Sequence, residues 1–164
     1  MRHASTKWTQ AIGVMAVVFA MSAVSIISSA RVSAQAAPDA ATAGAASSVS
    51  SGAYTDEQAK RGEAVATKLC TSCHGPELSG GEAGPALVGL EFMGNCNNLT
   101  VADFFDRVHS TMPADAPGTL TPQQTSDVAA YVFKLNKFPA GKSELPTDLA
   151  ALKGIKIEGA QPAK

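Results

Sequence analysis

The chain has 164 residues, 13 of them basic and 14 acidic, for a formal net charge of −1. That length suits one domain with appendages. The near-balance of charge, with no basic run or patch, gives no sign of a nucleic-acid partner, and none is expected.

The first 37 residues hold no Asp or Glu. Arg2, His3 and Lys7 form a basic start, Ala11 to Ile27 is an uncharged and mostly apolar run, and Val32-Ser33-Ala34 resembles an A-x-A cleavage site. This pattern predicts a signal peptide over 1–34, cut after Ala34 or, as the second choice, after Ala36. The alternative is an uncleaved membrane anchor, for which the apolar run is at the lower edge of the needed length. Removing residues 1–34 removes three of the 13 basic residues and no acid. That leaves 10 basic against 14 acidic, a formal −4. Residues 35–53 are rich in Ala, Ser and Gly and read as a flexible linker.

The domain is expected over 54–152. Its first helix starts after Thr55, a cap with Gln58 as reciprocal partner, and Asp56 and Glu57 suit the positive helix start. Ala59, Gly62, Val65 and Leu69 recur at helical spacing. The helix runs into Cys70-Thr71-Ser72-Cys73-His74. This C-x-x-C-H is the attachment signature of a c-type haem. Two thiols three positions apart on one helical turn can each bond a vinyl group of one porphyrin, and His74 is then carried to the iron. A redox dithiol would want a βαβ context, and a zinc site would want a second ligand pair. Cys96 stands alone, and its expected role is that of a small buried hydrophobe.

Residues 75–99 carry many Gly, Pro and Asn and read as a loop wrapped around something. The second helix starts after Thr100, with Asp103 three positions on, and ends near Ser110; Val101, Phe104, Phe105 and Val108 form its apolar face. Met112-Pro113 opens a turn-rich loop. The third helix has Thr121 as cap, Pro122 at its first position and Gln124 completing a capping box, with Val128, Tyr131, Val132 and Leu135 as its stripe. Residues 140–152 read as a strap with one short helix, and 153–164 as a frayed tail. No strand pattern is convincing, so the expected fold is all-α. The domain is small, and a buried haem would supply both core and cross-link.

The order of helix, CTSCH, Gly/Pro loop, helix, Met-Pro loop and aromatic-bearing helix resembles a class I monohaem cytochrome c over residues 55–139. The stretches Thr111-Met112-Pro113, Ala116-Pro117-Gly118 and Phe138-Pro139-Ala140-Gly141 are similar to cytochrome domains that serve quinoprotein alcohol dehydrogenases. The resemblance implies one covalently bound haem c on Cys70 and Cys73, and His74 and Met112 as the axial iron ligands. It also implies that the Pro85 carbonyl accepts the Nδ1 proton of His74, and that Gly62 meets Tyr131 where the first and last helices cross. Attachment outside the bacterial cytoplasm follows from it and agrees with the export signal.

The expected function is periplasmic one-electron transfer rather than catalysis by this chain. The expected partners are a dehydrogenase or oxidase, with the chain a monomer or a subunit of a complex. Membrane contact is expected only if the N-terminal segment stays uncleaved. Met93 and His109 are the other candidates for the distal ligand. If Met112 does not bind iron, the reading becomes an open-site haem protein, a sensor or a peroxidase-like enzyme.

Overall fold

The structure is a computed structural model and describes residues 46–159. The expected signal peptide, its cleavage sites and the first part of the expected linker lie outside these residues. Among the described residues six α-helices follow in order: α1 (Asp56–Leu69), α2 (Thr71–His74), α3 (Gly89–Cys96), α4 (Val101–Thr111), α5 (Pro122–Leu135) and α6 (Leu149–Lys153). Short 3-10 turns occupy Val49–Ser51 and Pro76–Leu78. Among the described residues there is no strand, only two isolated bridges at Lys156, so the fold is all-α.

The caps do what their sequences predict, with one exception. Thr100–Asp103 and Thr121–Gln124 both form reciprocal capping boxes, each contributing about 1 kcal/mol through satisfied helix-end N–H groups. Hydrogen bonds from Thr100 also hold the Asp103 carboxyl below its usual range. At α1, Thr55 accepts from the Gln58 backbone N–H at 3.1 Å, but the Gln58 side chain does not return the bond. It points inward and is fully buried. There it donates to Leu145 O and Ser126 Oγ and accepts from Leu145 N–H at 2.7 Å. An amide buried this deeply must be satisfied, and here it ties the strap after α5 to α1.

α1 crosses α5 at Gly62. A Cβ built there would lie 1.8 Å from the Asp127 carbonyl oxygen and 3.0 Å from Tyr131 Cβ, so the two backbones approach as only glycine permits. Arg61, beside it, donates to both carboxylate oxygens of Asp127 and to both of Glu144, which clamps the strap across the crossing. α5 is buried from Thr125 to Phe133. Phe133 meets Phe92, Phe104 and Phe138 in an aromatic cluster with centroids 5.9 to 6.4 Å apart.

Three expectations are corrected. Residues 89–96 form a helix, α3, because Phe92 and Cys96, one turn apart, are both buried. The end of the expected linker is not free either. Val49 and Ala53 are core residues, next to Tyr54, the first residue of the expected domain, which is buried and donates to Phe138 O at 2.6 Å. Nor does the chain fray over 153–158, the described part of the expected tail apart from Gly159. Ile155 and Ile157 are buried, and Lys156 N–H donates to Ser47 O while Lys156 O accepts from Val49 N–H, both at 2.9 Å. On the other side Ile157 exchanges backbone bonds with Asn98 and Leu99, and Val101 N–H donates to Ile155 O. The domain therefore extends beyond 54–152 at both ends, because two short apolar segments cover each other and the start of α4.

Candidate functional site

α1 ends at Leu69, and after Cys70 the chain makes a single further turn, α2. The bond from His74 N–H to Cys70 O at 2.9 Å closes that turn and sets the two cysteines and His74 in one compact unit. The following residues fold back over it. Gly80 N–H donates to His74 O at 2.7 Å, and Gly81 N–H donates to Gly84 O at 3.0 Å. Glycine is required at two of these positions by contact. A Cβ on Gly81 would lie 2.7 Å from Cys73 O, and one on Gly84 would lie 2.9 Å from His74 Nδ1. The Gly84 backbone thus forms one wall of a slot that fits the imidazole ring.

At the next residue, Pro85 O lies 2.7 Å from His74 Nδ1. A carbonyl can only accept, so Nδ1 carries the proton, and Nε2 is the nitrogen with an available lone pair. Nε2 makes no hydrogen bond among the described residues, and His74 as a whole is 8% exposed.

His74 faces a cavity of about 220 Å³. Cys70, Cys73 and Met112 also line it, with Pro85, Phe104, Val108 and Val132 among its apolar neighbours. Met112 is the residue that ends α4, its N–H donating to Val108 O at 3.0 Å, and Pro113 and Leu120 of the following loop close the same cavity. Leu69, 38% exposed at the end of α1, is also in the lining. Cys70 is partly buried and Cys73 exposed, and burial pushes the Cys70 thiol up.

The five residues expected at the site, Cys70, Cys73, His74, Pro85 and Met112, are thus brought together in one place. Met93 and His109 are not in the lining. Met93 packs against the core from α3, and His109 Nδ1 lies 3.3 Å from Thr125 Oγ1. Cys96 is buried away from the cavity, and desolvation pushes its thiol up, as fits a packed, inert sulfur.

The donor set fits a covalently held haem. Two thiols, an imidazole with a free Nε2 and a thioether surround an apolar space, and Gly84 leaves room for the imidazole where any side chain would fill it. Sequence reasoning missed Asn136, whose side-chain amide hydrogen-bonds Leu87 and Gly89 on the segment that follows Pro85. Its only sequence signal is an asparagine just past the last apolar residue of α5, which reads simply as a helix end.

The family model described as cytochrome C oxidase, cbb3-type, subunit III matches residues 57–132, a span that includes both cysteines, His74, Pro85 and Met112. No curated protein matches. Among solved structures, the crystal structure of the sulfane dehydrogenase SoxCD from Paracoccus pantotrophus is similar at 24% identity, over 49% of this chain and 44% of that chain, with a TM-score of 0.40. This chain therefore spans less than half the length of that one. With the C-x-x-C-H turn and an all-helical fold inside the matched span, this chain carries a c-type cytochrome domain.

Proposed function

We propose that this protein is an exported one-electron carrier that holds a single covalent haem c, with His74 and Met112 as its axial ligands. The observation that carries the proposal is the convergence of Cys70, Cys73, His74 and Met112 on one apolar cavity. When bound, the haem supplies a one-electron iron couple.

The chain's own residues then divide the work. Cys70 and Cys73 would hold the group through two thioethers, and His74 lies on the same turn. The Pro85 carbonyl fixes the imidazole tautomer and raises its basicity. Met112 offers a soft sulfur that favours the reduced metal. With His74 and Met112 both engaged, the group would offer a substrate no position, so the chain would carry charge and perform no bond chemistry. The apolar lining keeps water out, which limits reorganisation when the charge changes.

The acidic balance of residues 35–164, formally −4, supports a redox partner with a basic docking face, such as a dehydrogenase or a terminal acceptor. The basic, apolar and small-residue pattern over 1–34 supports export to the periplasm.

Denaturing the mature protein in acid acetone tests the attachment. Haem should remain with the polypeptide, and haem passing into the solvent would rule out two thioether bonds.

A further inference from the structure

Residues 84–89 hold the carbonyl that orients His74, yet their own hydrogen bonds are mostly local. Gly84 O accepts from Gly81 N–H, Leu87 N–H donates to Leu78 O, and Ala86 N–H donates to Glu91. Among the described residues, the hydrogen bonds that tie this segment to the end of α5 all run through one side chain, Asn136. Its Oδ1 accepts from Gly89 N–H at 2.9 Å. Its Nδ2 donates to Leu87 O at 2.9 Å and to Val132 O at 2.8 Å. The orientation of the amide is fixed by chemistry, because an N–H needs the oxygen and two carbonyls need the nitrogen. Val132, one partner, itself lines the cavity. Asn136 therefore locks the segment that carries Pro85 to the same helix that forms one wall of the site.

We propose that Asn136 is a positioning residue for the proximal ligand: by pinning Leu87 and Gly89 to the end of α5, it holds the Pro85 carbonyl on His74 Nδ1. The proposal rests on the reading of His74 as an iron ligand. Without Asn136 the segment loses its anchor on α5 and keeps its bonds to Leu78, Gly81 and Glu91 and the His74 contact itself, so the Pro85 carbonyl can move away from the ring more readily. The imidazole then becomes a weaker donor to the oxidised metal, so the reduction potential should rise.

The test uses the holoprotein, with Asn136→Ala, Asn136→Asp and, as control, Arg61→Ala. Arg61 clamps α1 to α5 and the strap and lines no part of the cavity. The readouts are solvent exchange of the His74 Nδ1 proton by NMR and the reduction potential. Asn136→Ala should speed exchange roughly tenfold or more, since local opening is what exposes such a proton, and should raise the potential. Asn136→Asp keeps the acceptor for Gly89 and loses both donors, so it should speed exchange as well even if the alanine variant folds poorly; exchange is the readout used for it, because its added negative charge by itself lowers the potential. Arg61→Ala should lower thermal stability and leave both unchanged. Unaltered exchange in both Asn136 variants, or an equal change in Arg61→Ala, would overturn the proposal. Failure of the underlying reading looks different: the wild-type His74 ring protons would then lack the paramagnetic shifts that direct bonding to oxidised iron produces.

Discussion

Gly62 on α1 presses its Cα against the Asp127 carbonyl of α5, leaving a gap that one methyl group would overfill. A Cβ at Gly62 would lie 1.8 Å from that oxygen and 2.4 Å from its carbon. The obstacle is backbone, which cannot rotate aside. The crossing it permits also brings Arg61 onto Asp127 and sets α5 with Val128 and Val132 in the cavity wall.

Gly62→Ala should therefore force the two helices apart. The helical propensity gained by the alanine, about 1 kcal/mol, is smaller than the overpacking cost, about 3 kcal/mol or more where backbone must move. Urea unfolding of the holoprotein should show a net loss of about 2 kcal/mol or more, with a weakened haem absorption. A variant as stable as the parent would mean that the crossing is looser than this geometry implies.

The paired terminal segments yield a second expectation. Ile157 is fully buried, and its N–H and C=O bond Leu99 and Asn98 just before α4. Ile157→Ala should cost about 2–4 kcal/mol, from lost burial and the cavity left behind. Lys156→Ala, which removes an exposed side chain and keeps the backbone bonds of that residue, should cost less than about 0.5 kcal/mol. Thermal melts of the two variants separate the outcomes. Equal and small losses would mean the 155–158 segment adds nothing to the domain.

The contrast between these regions shows what the sequence exposes and what it hides. The three long helices were legible because each begins with a capping residue and repeats apolar side chains at helical spacing, as in Thr121, Pro122 and Gln124 before Val128, Tyr131 and Val132. α3 was not, because Gly89, Gly94, Asn97 and Asn98 read as breakers. Only the burial of Phe92 and Cys96 at a spacing of four stabilises that helix. The alternation of Ile155, Lys156 and Ile157 was a signal for half-buried extended chain, hidden by the Pro/Gly-rich surroundings. The capping-box expectation fails at Gln58 because local rules cannot see Leu145, which takes its side chain inward. At the site, Cys70, Cys73 and His74 follow from spacing alone. Pro85 came only from family resemblance, and Asn136 needed the fold, since its partners Leu87 and Gly89 are 49 and 47 residues away in sequence.

The axial thioether gives the prediction that bears most directly on function. Met112 shares the cavity with His74, while Met93 packs against the core and His109 meets Thr125. A thioether binds oxidised iron weakly, so its position must be imposed by the protein. Here the end of α4 holds its backbone through Val108 O, and Pro113 and Pro117 restrict the loop that follows. Met112→Ala should remove the sulfur and leave the attachment at Cys70 and Cys73 intact. The oxidised variant should lose the weak sulfur-to-iron band in the red, and the reduced variant should bind carbon monoxide readily. Its reduction potential should also fall, since axial ligation spans about 0.8 V across haem proteins. Met93→Ala should change none of these and should lower stability only. If the red band survives Met112→Ala and disappears in Met93→Ala, α3 supplies the sulfur. If it is absent from the parent protein, and the parent already binds carbon monoxide, the distal position is open and the chain is a ligand-binding haem protein instead of a carrier.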